Sequence, residues 1–111
     1  MFKGLPASLV ILGMRFRVKY YPGPVDDLKE DEFGDTDGAN RLIRINLKRH
    51  NSETEIFATL FHEACHAALY VSGQTSGLGK REEAIIMALE HALFPLIQQR
   101  KIRPGKNSKR K

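Results

Sequence analysis

Residues 62 to 66 read His62-Glu63-Ala64-Cys65-His66, two imidazoles four positions apart with a carboxylate directly after the first. On a helix this spacing projects both rings from one face, one turn above the other, which suits two ligands of a tetrahedral zinc ion. Glu63 falls about 100° around the helix from His62, where it can reach a metal-activated water without displacing a ligand. The chemistry expected of these residue types is hydrolysis of a peptide bond. Zinc lowers the pKa of the water, and Glu63 as general base takes its proton and returns it to the leaving amine. With four histidines and eight glutamates in 111 residues, the pattern arises by chance with a probability on the order of 1%.

A catalytic zinc site needs three protein ligands and an open position. Residues 67–81 contain no Asp, Glu or His, so the downstream candidates are Glu82, Glu83, Glu90 and His91. Wheel position puts Glu82 in line with Ile85, Ile86 and Leu89 and Glu83 at the border of that stripe, so geometry favours Glu82 and leaves Glu83 open. Cys65 points away from the histidine face and reads as a small buried residue. As the only cysteine it forms no internal disulfide, and one thiol excludes Cys-rich zinc and iron-sulfur sites. Tyr70, four residues after His66, reads as packing near the helix end, with a hydroxyl on nearly the same face as the site.

These residues need a helix, and its signals are independent of the motif. Ser52 opens a capping box with Glu55, an apolar stripe runs through Ile56, Phe57, Leu60, Phe61, Ala64, Ala67, Ala68 and Val71, and Gly73 closes it. A Gly/Ser/Thr linker over 72–79 leads to a second helix from near Lys80, expected to bury Ile85, Ile86, Leu89, Ala92, Leu93 and Leu96 and to bend or end at Pro95. Upstream, Leu9 to Leu12 and the alternating Met14, Phe16, Val18 and Tyr20 predict paired strands around a turn at Gly13. Residues 25–40 read as an acidic loop with a helical turn around 27–33, and DTDG within it as solvated loop rather than calcium site. Arg41 to Lys48 predicts a third strand, at a sheet edge, where an extended substrate could pair with it.

The expected architecture is one α+β domain over 1–99, a small mainly antiparallel sheet packed against the motif helix and a second C-terminal helix. Hydrophobic residues are 41% and charged residues 28%, the balance of a globular domain. The net charge of +5 is concentrated at one end. Residues 100–111 hold seven basic groups and no acid, leaving eleven basic against thirteen acidic groups before them, net −2. That segment reads as a solvated basic tail with capacity for weak contact with nucleic acid or an acidic partner. The longest apolar run, Leu9 to Leu12, is too short to span a membrane and no cleavage site follows it, which predicts a cytoplasmic protein.

TLFHEACHAAL followed by EEAIIMALEHAL resembles the compact zincin metallopeptidases related to the ImmA/IrrE group, and more closely small metallopeptidases of phages and prophages. The likeness covers residues 8 to 97, including the Gly34-Asp35 segment ahead of RLIRINL. It implies a zincin-like fold, a zinc cofactor, a peptide or protein substrate and, for a phage protein, the host cytoplasm. The third ligand in that group is a glutamate usually followed by alanine, which maps onto Glu83-Ala84 and selects Glu83 over Glu82. The chain departs from larger zincins in having no evident downstream histidine to stabilise an oxyanion.

Overall fold

The structure, a computed structural model, describes residues 4–23, 25, 28 and 32–102. It is an α+β fold in which strands β1 (Ser8–Ile11), β2 (Met14–Tyr21), β3 (Gly34–Asp37) and β4 (Leu42–Asn46) form one sheet beside helices α1 (Glu53–Val71), α2 (Thr75–Leu78) and α3 (Arg81–Ile102). The first hairpin follows the sequence pattern. Leu12 and Gly13 both have positive φ, 50° and 82°, the backbone twist that joins antiparallel strands in two residues. Phe16 and Val18 then point into the core while Arg15, Arg17 and Lys19 face water.

The rest of the sheet corrects two expectations. Its order is β1-β2-β4-β3, so the strand beginning at Leu42 is interior, and the free edge near α1 is β3. Two of the three pairings are antiparallel, as expected, and the sheet is mixed because β2 runs parallel to β4. Parallel neighbours need a long return connection, and residues 22–41 supply it. Within that connection GDTD is a strand, not a solvated loop: β3 pairs antiparallel with β4, placing Asp35 opposite Arg44. The expected helical turn over 27–33 lies mostly outside the described residues.

Both ends of α1 form as the sequence predicts. Ser52 Oγ accepts from the Glu55 amide at 3.2 Å, and Glu55 Oε1 accepts from the Asn51 amide at 2.6 Å. At the other end Gly73, φ 81°, lets the amides of Gln74 and Gly73 donate to the carbonyls of Leu69 and Tyr70. Between these caps Ile56, Leu60 and Ala67 pack on Phe16, Val18, Ile43 and Ile45, which fixes the helix across the sheet.

The stretch 72–79, read as linker, contains the short α2. Helix α3 begins where expected but runs through Pro95 to Ile102, into the segment read as tail; the remaining tail residues lie outside the described residues. Proline removes one hydrogen bond from the helix, which here does not end it. Burial along α3 also departs from the pattern. Ile86 is buried and Ile85 half-buried, but Ala92, Leu89, Leu93 and Leu96 are exposed. The physical reason is that α3 rests chiefly on α1, through contacts such as Phe61 with Phe94, so its apolar stripe is wider than the surface covering it. Among the described residues no helix is long and apolar enough to cross a membrane.

Two features hold β3 and β4 at the distances the site requires. A Cβ on Gly34 would lie 2.6 Å from the Arg44 carbonyl oxygen and 3.2 Å from the Thr59 methyl. Gly34→Ala is therefore expected to cost about 1–3 kcal/mol, read as a lower unfolding midpoint; an unchanged midpoint would mean that β3 shifts freely. Buried His50 braces the end of β4, its Nδ1 2.8 Å from the Asn46 carbonyl and its Nε2 2.7 Å from Thr59 Oγ1. Nδ1–H donates to that carbonyl, so Nε2 accepts from the hydroxyl and the ring is neutral. Burial lowers its pKa, outweighing the Asn46 carbonyl and Glu55. The unfolded chain thus takes up the proton first, so the contribution of His50 is complete above about pH 6.5 and declines as pH falls toward the folded value. The stability difference between wild type and His50→Gln should shrink from pH 7 toward pH 5 in thermal melts; a constant difference would remove the titration.

Candidate metal centre

His62 and His66 project from α1 one turn apart, ring centroids 5.1 Å from each other. Facing them is Glu83 in the first turn of α3, where the helix dipole favours a carboxylate. Its two oxygens lie 3.0 Å from His62 Nε2 and 2.9 Å from His66 Nε2. One ligand atom from each of the three residues falls within 4.8 Å of the other two. Glu82 and Glu90, the other acidic candidates, take a different position. Glu90 Oε1 is 2.9 Å from His62 Nδ1, and Glu82 Oε2 is 2.5 Å from His66 Nδ1. His91 is exposed and is not in this cluster, and Cys65 is half-buried and also outside it.

The donor set fits a cation. With each Nδ1–H donated to a carboxylate, the neutral rings present their Nε2 lone pairs to the oxygens of Glu83, so three acceptors face one another. Such an arrangement is satisfied by a metal ion or by protons, and its imidazole and carboxylate composition suits zinc. The proton alternative registers at His62. Burial would lower its pKa, but the Glu90 hydrogen bond and the charges of Glu63 and Glu83 more than offset that and raise it. Protons therefore compete with a metal at low pH.

Glu63 is 6% exposed, at the meeting of two cavities. Thr36 on β3 donates its hydroxyl to Glu63 Oε1 at 2.7 Å, with the Glu63 carbonyl as a second acceptor at 3.0 Å. Burial raises the Glu63 pKa against the opposing effects of Thr36 and the two histidines. Thr36 was missed in the sequence because its partner lies 27 residues away and GDTD carries no apolar alternation. Tyr70 lines the smaller cavity with His66, its ring lying directly on Gly38, where an added Cβ would sit 2.4 Å from Tyr70 Cγ.

The structure thus brings together His62, His66 and Glu83, with Glu63 beside them. No family model, curated protein or solved structure matches the chain.

Proposed function

We propose that the chain is a zinc-dependent peptide hydrolase with a zincin-like site, in which His62, His66 and Glu83 hold the ion and Glu63 is the general base. When bound in such a site, zinc acidifies a water and polarises a carbonyl oxygen. The observation that carries the reading is the position of Glu63. It is a buried carboxylate next to the histidine pair and open to cavities on both sides. A carboxylate so placed can accept a proton from the attacking water and hand it to the leaving amine, and Thr36 fixes the direction in which one of its oxygens faces.

The remaining residues position the centre and its substrate. Glu90 and Glu82 orient the two rings through Nδ1. Cavities of about 610 and 280 Å³ meet at Gly34 and Glu63, so a chain can extend to either side of the reacting carbonyl. The strand able to receive an extended peptide is the edge strand β3, in place of the interior β4.

The test is metal analysis of purified protein together with digestion of a broad peptide library. About one zinc per chain is expected, with cleavage that a chelator stops and added zinc restores. Zinc without cleavage reduces the centre to a structural one, and absence of zinc after loading removes it.

A further inference from the structure

Among the described residues every charged side chain lining the two cavities is a carboxylate, the two histidines aside, although the chain as a whole carries +5. At the centre Glu82, Glu83 and Glu90 are engaged with the histidines. The larger cavity has two further carboxylates, Glu55 on α1 and Glu32 ahead of β3. Its apolar lining is Phe33, Ala58 and Met87, with Phe33 and Met87 47% and 38% exposed. The guanidinium of Arg49 lies 5.3 Å from the Phe33 ring centroid, so one face of this ring is already covered by a cation of the chain itself. Apolar and aromatic surface leading to carboxylates matches a long side chain with an aliphatic stem and a cationic head.

We infer that the larger cavity is a specificity pocket for an arginine or lysine side chain, and that the cleft takes cationic peptide segments. The inference rests on the proposed hydrolase reading, since it names the substrate class of that site. Its physical content is short-range pairing at Glu55 together with the acidic field of the cleft, which concentrates cationic chains and weakens with salt.

Glu55→Gln tests it without disturbing the helix start. Glutamine keeps the oxygen that accepts the Asn51 amide, and a capping box tolerates either residue. The probes are labelled alanine-rich peptides in which Arg, Leu or Glu occupies each position in turn. Binding is read by fluorescence anisotropy on zinc-loaded Glu63→Gln protein, and kcat/KM is read on the active protein. Arg peptides should bind about tenfold tighter than Leu peptides, with Glu peptides weakest, a difference of about 1.4 kcal/mol by the relation of affinity to free energy. Adding Glu55→Gln should remove most of the Arg preference. Glu53→Gln, two residues earlier on α1 and outside the cavity lining, should leave it intact. Equal binding of Arg and Leu peptides overturns the inference, as does a preference that Glu55→Gln and Glu53→Gln reduce alike. If Arg preference holds in binding but nothing is cut, the hydrolase reading fails and the pocket stands. If peptides are cut without preference, the pocket fails and the hydrolase stands.

Discussion

Glu63→Gln is expected to lower kcat by about a hundred- to ten-thousand-fold while the zinc stays bound, and to make the metal-free protein more stable. On the proposed mechanism the first effect follows from removing the group that would accept and return the proton, since a glutamine amide does neither at neutral pH. The second follows from burial. A carboxylate that is 6% exposed is costly to ionise, and its pKa is raised for that reason first, with Thr36 and the histidines only partly offsetting it. Because the folded pKa lies above the unfolded one, the stabilising form is the protonated one, and stability is lost as pH rises through the folded value. The gain from glutamine is therefore small below about pH 4.3 and grows toward neutrality, where it is read as a higher melting point. The Thr36 hydroxyl can still donate to the amide oxygen, so the hydrogen bond seen at 2.7 Å has a replacement. Thermal melts of both chelator-stripped proteins across this pH range decide the matter. A less stable variant at neutral pH makes Glu63 a structural acceptor, and unchanged turnover removes it as the base.

The same residue shows what could be read from sequence and what could not. Glu63, His62 and His66 are set by a spacing of one to four residues on a helix whose caps are local, so the sequence pattern sufficed. The hairpin at Leu12-Gly13 and the start of α3 were legible for the same reason. Thr36 was not, because β3 gains its strand character from partners distant in sequence: Asp35 pairs with Arg44, and Thr36 reaches across to Glu63 on α1. Once β3 takes that edge, the strand beginning at Leu42 becomes interior, which no feature of its own alternation signals. The exposed stripe of α3 is the converse case. Leu89, Leu93 and Leu96 carry a correct helical period, yet burial depends on what lies opposite, and α1 covers only part of that face.

The three glutamates of α3 should separate by zinc affinity. Glu83 meets both Nε2 atoms, so Glu83→Ala removes the proposed third ligand and is expected to give the largest loss of affinity of the three. Glu82 and Glu90 meet Nδ1 atoms, so Glu82→Gln and Glu90→Gln keep an acceptor for the ring N–H and lose only its charge. Each is expected to weaken zinc by about 10- to 100-fold, the range typical of partners that orient a metal-bound histidine. Since Glu90 acts on His62 and Glu82 on His66, one ring each, their losses should come close to multiplying in the double variant. Zinc competition titrations with a chromogenic chelator give all four constants. The wheel argument for Glu82 predicts the opposite order, with Glu82→Ala losing the metal and Glu83→Ala keeping most of it. The contact geometry favours the first order: an Nδ1 partner stands behind the imidazole, on the side away from Nε2, and among the described residues only Glu83 occupies the space toward which both rings direct their remaining nitrogen. If Glu82→Ala nonetheless abolished binding while Glu83→Ala left it intact, His66 would have to coordinate through Nδ1, and the assignment of that ring would reverse.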